Sequence, residues 1–228
     1  MKLLAIDTST DACSAALAMD GEIHERFELA PRRHTELILP MVEQLLREAG
    51  LRVQELDGLA FGRGPGAFTG LRIAAGIIQG IALGTGLSVA PVSTLAALAQ
   101  AAYADTDHPN ILAALDARMG EVYWGVYQNN GNGLVRPIQA ECVYPPDRVP
   151  IPEDGEWLGA GPGWAVYTET LKARLAAHLI GLQPGYHPRA REVALLGLDA
   201  FRRGQTVPAE NAVPVYLRDR VVTQAKSR

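Results

Sequence analysis

Apolar residues in this chain follow strand-like and helix-like spacings in a regular order, and that order predicts a mixed α/β protein. Three strand patterns come first, at residues 2–7, 12–19 and 22–29. The pair Asp20-Gly21 between the last two is typical of a tight hairpin turn. A helical pattern follows at residues 34–49 and ends at Gly50. Three strands and a helix therefore open the chain.

Strands and helices then alternate, and the same scheme returns in the second half. The first half continues with strands at 59–61 and 88–92 and helices at 69–83 and 93–104. The second half predicts strands at 111–116, 121–128, 134–142 and 157–158, a turn at 129–133, helices at 164–179 and 189–203, and an extended segment at 213–217. The polar segment 105–110 is the predicted boundary between a first lobe, residues 1–106, and a second lobe, residues 107–228.

A short repeat supports a duplicated fold. The run Asp57-Gly-Leu-Ala-Phe-Gly-Arg-Gly-Pro-Gly66 returns as Asp154-Gly-Glu-Trp-Leu-Gly-Ala-Gly-Pro-Gly163, in the same place relative to the strands. Three antiparallel strands followed by α/β units, repeated once, is the plan of the actin, sugar-kinase and heat-shock-ATPase superfamily. The predicted fold class is therefore a two-lobe α/β fold with mixed sheets and a cleft between the lobes.

Two helices of the first lobe carry unusual patterns. The apolar residues of 34–49 cover an arc of roughly 200°, about twice what packing on one sheet requires. In the second helix, Gly76, Gly80 and Gly84 fall on one stripe, although each glycine costs a helix about 1 kcal/mol. The stripe faces either a closely approaching backbone of another molecule or the protein's own sheet, and the sequence leaves both readings open.

The uncharged stretch at residues 73–103 has the hydropathy of a membrane segment, but its composition argues against one. Glycines, a proline and several polar residues interrupt it. A buried helix, strand and helix of an α/β core produce the same pattern, so no membrane span is predicted.

Composition and charge narrow the class of protein. The chain has 228 residues, is 48% apolar and 20% charged, and carries a formal net charge of −4, which argues against a broad basic surface for nucleic acid. Its two cysteines, Cys13 and Cys142, are too few for a disulfide framework and read as buried thiols. The N-terminal run reaches Asp7 too early for a signal peptide, so a cytoplasmic location is expected.

The glycine-rich run 62–70 joins a strand to a helix and is the strongest candidate for ligand chemistry. Backbone N–H groups at such a turn can hold an anion, but the run lacks the lysine of a phosphate loop, and a tight structural turn explains it equally well. Asp7 and Asp116 end the first strands of the two lobes, where they act as acid, base or magnesium ligand, or only cap a turn. The candidate nucleotide or anion contacts are Asp7, Thr8, Ser9, Gly64, Gly66 and Asp116.

The sequence contains no recognisable motif for a metal site or for a catalytic nucleophile. The five histidines have no metal-ligand spacing, and the two cysteines are far apart in sequence. The chain has no Gly-x-Ser-x-Gly elbow. No metal site and no catalytic residue are therefore predicted.

Several motifs resemble the bacterial TsaB family from one end of the chain to the other. They are Lys2-Leu-Leu-Ala-Ile-Asp-Thr-Ser-Thr10, His34-Thr-Glu-Leu-Ile-Leu-Pro40, Asp57-Gly-Leu-Ala-Phe-Gly-Arg-Gly-Pro-Gly-Ala-Phe-Thr-Gly-Leu-Arg-Ile73, Leu115-Asp-Ala-Arg118 with Glu121-Val-Tyr123, and Val213-Pro-Val-Tyr-Leu-Arg218. The Gly-Pro-Gly-x-Phe-Thr-Gly-Leu-Arg block is the most specific of these.

The resemblance implies a non-catalytic subunit for threonylcarbamoyladenosine modification of tRNA next to the anticodon. It implies pairing with a catalytic TsaD subunit of the same fold, joined by the ATPase TsaE, contact with tRNA through that complex, and a homodimer when the chain is alone. It implies no tightly bound cofactor, with ATP or ADP a candidate ligand of the complex. Aligned with the catalytic paralogue, Thr94 and Leu98 stand where that protein carries two metal-binding histidines, and neither replaces an imidazole.

The resemblance also locates the partner interface. In the family, the first-lobe helices of each partner pack as a four-helix bundle, which here are the helices at 34–49 and 69–83. The predicted contacts are Leu37, Ile38, Met41, Leu45, Leu71, Ala74, Ile77, Ile78 and Ile81. Two other functions are weighed against this one: a stand-alone ATP-dependent phosphotransferase, suggested by the fold with Asp7 and Asp116, and a peptidase, for which the sequence offers no hydrolytic centre.

Overall fold

Two sheets with the same plan form the centres of two lobes. The computed structural model describes residues 1–129 and 131–218, so Asn130 of the predicted turn and residues 219–228 of the predicted second lobe lie outside it. The first sheet contains β1 (Leu3–Asp7), β2 (Ala12–Met19), β3 (Glu22–Leu29), β4 (Gly58–Gly64) and β5 (Val89–Ser93). The second contains β6 (Asn110–Arg118), β7 (Glu121–Asn129), β8 (Val135–Pro137), β9 (Cys142–Tyr144), β10 (Trp157–Ala160) and β11 (Leu179–Gln183).

The strand orders show the duplication. The first sheet has the order β3-β2-β1-β4-β5, and the second has the order β8-β7-β6-β10-β11, with β9 also pairing with β7. In each lobe the first strand pairs with an antiparallel hairpin on one side and a parallel strand on the other. The sheets therefore confirm the mixed, repeated arrangement that the sequence predicts.

Within the described residues, six α-helices cover these sheets. They are α1 (His34–Glu48), α2 (Phe68–Thr85), α3 (Thr94–Thr106), α4 (Pro162–Val166), α5 (Thr168–Leu175) and α6 (Ala190–Arg202). Helices α1 and α2 pack on one face of the first sheet through a core that includes Leu4, Phe61 and Ile78. The second-half helix α6 packs on the opposite face of that first sheet, against Leu3 and Ala60. The chain passes from the first sheet to the second near residue 106. Helix α6 comes from the second half of the chain but packs on the first sheet.

Two predicted elements differ from the structure, and one strand was not predicted. The helix predicted at 164–179 is two short helices separated at Tyr167, whose φ of −118° leaves the helical region. Its last residue begins β11, which the periodicity missed because pairing with β10 stabilises that strand. The strand predicted at 134–142 is two short strands, β8 and β9, and β8 ends at Pro137, which has no N–H to donate.

Helix α2 is the one described helix that is long and apolar enough to cross a membrane, judged by length and composition alone. One side of it lies on the first sheet, where Ala74, Ile78 and Ala82 are buried with Leu4 and Phe61. A third of its 18-residue apolar window, 33%, is buried in the structure. Much of the apolar surface of α2 therefore faces away from the core of its own lobe.

Candidate functional site

The carboxyl end of β1 forms a closed corner around Asp7. The Asp7 side chain is fully buried, and its Oδ1 atom accepts hydrogen bonds from the backbone N–H of Ser9 at 2.9 Å and from the Ser9 hydroxyl at 2.7 Å. Its Oδ2 atom has no hydrogen-bond partner among the described residues, and a Cβ atom at Gly62 would lie 1.8 Å from it. Burial raises the pKa of Asp7 to about 6, against the lowering effect of the bonds from Ser9 and of the charge of His34.

The glycines of the run 62–70 let this loop press on the corner that follows β1. A Cβ atom at Gly66 would lie 2.3 Å from the carbonyl oxygen of Ser9, and one at Gly70 would lie 1.9 Å from that of Thr8. The Thr8 hydroxyl also donates to the carbonyl of Gly70 at 2.7 Å. Backbone meets backbone here, and only residues without a Cβ fit. The tight-turn reading of the glycine run therefore accounts for Gly62, Gly66 and Gly70.

Backbone donors of the same loop are engaged inside the protein. The N–H of Gly64 donates to the Thr94 hydroxyl at 3.1 Å, and the N–H of Ala67 donates to the carbonyl of Ser9 at 2.7 Å. Asp7, Thr8 and Gly64 are buried and are not among the residues that line the cavity described next, so the structure offers no open surface at these three predicted nucleotide or anion contacts. Their polar groups serve the packing of the loop on the sheet.

An open cavity of about 310 Å³ lies between the two lobes. Three of the predicted contacts, Ser9, Gly66 and Asp116, do line it. The remaining lining residues are Thr10, Asp11, Ala67, Phe68, Leu115, Ala117, Arg118, Tyr123, Pro162, His187, Tyr216 and Arg218. Burial lowers the pKa of His187, and its Nδ1 atom has no partner among the residues that the structure describes. The cavity thus combines cationic, acidic and aromatic side chains from both lobes.

The corner of the second lobe is more open than that of the first. The Asp116 side chain is 16% exposed and forms a salt bridge with Arg118 at 3.0 Å. Its Oδ1 atom accepts from the backbone N–H of Arg118 at 2.8 Å and from the Tyr167 hydroxyl at 3.1 Å. The two interactions with Arg118 hold the carboxylate in its own turn, which is the capping role that the sequence allows, and the bond from Tyr167 ties it to the segment between α4 and α5.

The positions aligned with the metal-binding histidines of the catalytic paralogue are filled by core packing. Thr94 and Leu98 both lie in α3 and are fully buried. Leu98 packs with Leu95 and Ile111, and its Cδ2 atom would lie 2.5 Å from a Cβ at Gly161. In residues 1–129 and 131–218, no group of three or more histidine, cysteine, aspartate or glutamate side chains is arranged to hold a metal ion.

Five of the nine predicted partner contacts lie in the first lobe's own core. Ile38, Leu45, Leu71, Ala74 and Ile78 are at most 2% exposed. They cannot contact a second molecule without leaving that core, so the predicted interface is corrected for these five. The other four, Leu37, Met41, Ile77 and Ile81, are half-buried at its edge and remain predicted contacts.

The surface of α2 opposite the sheet is open along its length. Gly76, Gly80 and Gly84 are exposed, and a Cβ atom at any of them would have no neighbour within 4 Å. Leu83 lies on the same side and is 73% exposed. The stripe therefore does not press on the protein's own sheet. We refer to the surface of Gly76, Gly80, Leu83 and Gly84 as the open face of α2.

Aromatic side chains at the N-terminal end of α2 were not among the predicted site residues. The Arg72 guanidinium lies 3.9 Å from the ring centroid of Phe68 and donates to the Tyr216 hydroxyl at 3.3 Å. The rings of Phe68 and Tyr216 are 5.5 Å apart. The extended pattern at 213–217 indicated a strand-like segment there, but nothing in it indicated which helix it would contact.

Comparisons with known proteins agree with this architecture. Residues 20–226 match the family model described as TsaD, tRNA N6-adenosine threonylcarbamoyltransferase. The chain is 44% identical to the tRNA threonylcarbamoyladenosine biosynthesis protein TsaB of Escherichia coli, covering 97% of this chain and 96% of that protein. It is 30% identical to the protein of the same name from Bacillus subtilis, covering 96% and 94%.

A solved structure supports the same assignment. YeaZ from Pseudomonas aeruginosa is 47% identical to this chain and superimposes with a TM-score of 0.89 over 95% of this chain and 99% of that one. The predicted fold class and the resemblance seen in the motifs are thereby confirmed. The chain belongs to the TsaB family.

Proposed function

We propose that this chain is the non-catalytic subunit of the machinery that makes threonylcarbamoyladenosine in tRNA, and that it supports a TsaD-type catalytic subunit by pairing with it. The names of its full-length relatives place them in this biosynthesis. The observation that carries the pairing role is the open face of α2, where a Cβ atom added at any of the three glycines would have no neighbour within 4 Å and Leu83 is 73% exposed. Such a face suits close approach of another helix.

The two corners of the cleft support a division of labour between subunits. Asp7 is sealed beneath Gly62, and Asp116 is bound by Arg118 of its own turn and by Tyr167. Thr94 and Leu98 fill the places of the paralogue's metal ligands with a hydroxyl and an apolar side chain. A phosphotransferase needs an accessible carboxylate or a metal at this position, and a peptidase needs an activated nucleophile. Neither alternative is favoured by the geometry.

The proposed interface is centred on α2 and includes part of α1. The open face contributes Gly76, Gly80 and Leu83, while Met41 of α1 and Ile77 of α2 lie half-buried at the edge of the first lobe's core. Uncharged surface of this kind is costly to leave in water, which explains why the chain is expected to form a homodimer when the TsaD-type partner is absent. In this proposal the TsaE-type ATPase and tRNA are met through the complex, in the cytoplasm.

The chain alone is proposed to bind no cofactor tightly, and ATP or ADP is proposed to act only in the complex. Calorimetry with ATP and magnesium tests this point. Tight, magnesium-dependent binding to the isolated chain, lost in Asp7→Asn, would favour the phosphotransferase instead.

The pairing proposal is tested by placing a charge on the open face. Leu83→Asp leaves the core untouched, because the leucine side chain is largely exposed, and should reduce affinity for the TsaD-type subunit by at least about 100-fold, the cost of burying an unpaired charge. Ile77→Asp should do the same at the edge of the face. Affinity is measured by titration calorimetry, and threonylcarbamoyl transfer to tRNA is measured with the mixed subunits.

A matched control separates docking from general surface chemistry. Val166→Asp in α4 changes an exposed apolar residue of the second lobe in the same way and should leave pairing intact. Equal affinity of Leu83→Asp and the unmodified chain would move the interface elsewhere. Transfer by this chain without its partner would refute the non-catalytic role.

A further inference from the structure

The last described segment, residues 212–218, runs along α2 before leaving it for the second lobe. The Gln79 side chain, near the middle of α2, donates to the carbonyl of Ala212 at 3.2 Å. The N–H of Val215 donates to the carbonyl of Arg63 at 2.8 Å, and a Cβ atom at Gly64 would lie 2.6 Å from the Val215 carbonyl oxygen. The segment is thus fitted against the loop that precedes α2.

The next contact is with the first turn of α2 itself. Tyr216 packs its ring on Phe68 and accepts a hydrogen bond from Arg72, whose guanidinium lies over the Phe68 ring. Aromatic pairs and cation–π contacts each contribute on the order of 0.5–1.5 kcal/mol. Val213 and Tyr216 are also 51% and 44% exposed, so the segment adds apolar surface beside the open face of α2.

The far end of the segment is anchored in the second lobe. Arg218 forms an ion pair with Glu121, the first residue of β7, and donates to the carbonyl of Arg118 at 3.3 Å. Its Nη1 atom also lies 3.4 Å from the sulfur of Met119. These partners lie at the turn between β6 and β7. The side chains of Arg218 and Glu121 are only 16% and 33% exposed. Because water screens a shielded ion pair less, this pair should be stronger than one on the open surface.

We propose that residues 212–218 are a strap that ties the N-terminal end of α2 to the β6–β7 turn of the second lobe, so that the position of the partner-facing helix depends on the position of the second lobe. Tyr216 and Arg218 also line the inter-lobe cavity, so the strap forms one wall of the space that any movement of the lobes would change. The consequence for partner binding rests on the function proposed above. The mechanical link does not, because it is visible within a single chain.

Because the strap is attached at both ends, the second lobe and the first turn of α2 should be coupled. A change that detaches Arg218 from Glu121 frees the segment that braces Arg72 and Phe68, although neither residue of that ion pair touches the open face. Binding of a partner to α2 and the relative position of the lobes would then affect each other by the same factor, since coupling between sites is reciprocal.

Hydrogen exchange in the full chain tests the link directly. Glu121→Gln and Arg218→Gln cut the anchor from opposite sides, and both should speed exchange of the amides of Val215 and Leu71 by about fivefold or more, the lower end of typical coupling. The Val215 amide donates to Arg63 and the Leu71 amide donates to Ala67, and both acceptors belong to the first lobe. Tyr216→Phe, which removes only the hydroxyl, should give a smaller rise confined to the same region.

Arg136→Gln is the matched control. It removes another half-buried ion pair that joins the second sheet to a helix on the first sheet, Arg136 with Asp199 in α6, at 2.6 Å. Exchange at Val215 and Leu71 should stay unchanged in this variant. Unchanged exchange in Glu121→Gln, or an equal rise in Arg136→Gln, would overturn the strap.

Partner affinity supplies the second measurement. Glu121→Gln should weaken binding to the TsaD-type subunit by about fivefold or more, although it lies outside the open face. Faster exchange with unchanged affinity would reject the coupling to the partner. If the unmodified chain does not bind that subunit at all, the proposed function fails, while the exchange data still decide whether the strap holds α2.

Discussion

The two lobes use the same glycine-rich loop but continue from it differently. In the first lobe, Gly66 presses on the carbonyl of Ser9, and in the second, its counterpart Gly163 presses on the backbone of Ala114. A Cβ atom would lie 2.3 Å and 2.8 Å from the nearest atom at these two positions. The first loop then leads into the 18-residue helix α2, and the second into α4, which has five residues. The second loop is also followed by Trp164, which fills the core of its own lobe.

The comparison distinguishes glycines that the protein's own packing requires from glycines that it does not require. The loop glycines stand where two backbones meet inside the protein, and they occur in both lobes. Gly76, Gly80 and Gly84 meet nothing inside the protein and have no counterpart in the short helices of the second lobe. Because each costs α2 about 1 kcal/mol, their reason is best sought in another molecule.

The largest expected effect comes from filling the internal glycines. Gly66→Ala would place a methyl group against the Ser9 carbonyl, and we expect a loss of at least about 3 kcal/mol in the free energy of unfolding. Gly163→Ala should be similarly costly, since its neighbour is also backbone. Urea denaturation measures both. A loss below about 1 kcal/mol at either position would show that the loops yield, and the two lobes would no longer be comparable.

A pH effect of about 2–3 kcal/mol is expected from the sealed corner of the first lobe. The folded pKa of Asp7 is about 6 and its ordinary value is 3.8, so the folded state holds this proton more tightly than the unfolded chain. That contribution is fully present below pH 4 and is lost as pH rises to about 6. Asp7→Asn lacks it, so the difference in unfolding free energy between the two proteins should change across this window.

Glu192 in α6 should also stabilise the folded protein more at low pH than at high pH, but over a slightly higher pH range than Asp7. Burial raises its pKa to about 7, so its share is lost between about pH 4.5 and 7 and should disappear in Glu192→Gln. For Asp7, the contradicting result is a difference in unfolding free energy between the wild type and Asp7→Asn that does not vary with pH. It would show that the Asp7 carboxyl is not sealed from water.

A smaller and opposite effect is expected at the open face. Gly80→Ala adds a methyl group where no atom lies within 4 Å, so it should stabilise the isolated chain by up to about 1 kcal/mol. The same methyl group would separate two closely packed backbones, and we expect about tenfold weaker pairing with the TsaD-type subunit. Thermal unfolding and calorimetry measure the two effects. A variant that is more stable and pairs normally would remove the reason given for the stripe.

The smallest effect is expected at the corner of the second lobe. Tyr167→Phe removes one hydrogen bond to Asp116, which keeps its partners from Arg118, so the loss should be about 0.5–1 kcal/mol. This loss is smaller than the effect expected for Asp7, as it should be if the Asp116 carboxylate is partly open to solvent and the Asp7 carboxylate is sealed. A loss above about 2 kcal/mol would indicate that Tyr167 holds more of the second lobe together than its single bond suggests.

Local patterns in the sequence were sufficient for most of the architecture. Alternating residues predicted β2 and β3, the Asp20-Gly21 pair predicted their hairpin, and the repeated glycine run predicted two similar lobes, because each of these signals acts over a few neighbouring residues. Strand β11 was missed, since its pairing with β10 is a tertiary contact that no local period reports. The return of α6 to the first sheet escaped for the same reason.

The sequence by itself determined the kind of protein: the α/β repeat, the family motifs, the wide apolar arc of the helix at 34–49 and the glycine stripe of the next helix. Only the tertiary structure decided which side chains those helices expose, placing Ile38 and Ile78 in the core and Gly80 and Leu83 outside. Helical periodicity identifies an apolar arc but not the direction of the sheet beneath it, because that direction depends on residues far away in the chain. The meeting of Tyr216 with Phe68 and of Arg218 with Glu121 is likewise set by the closed fold.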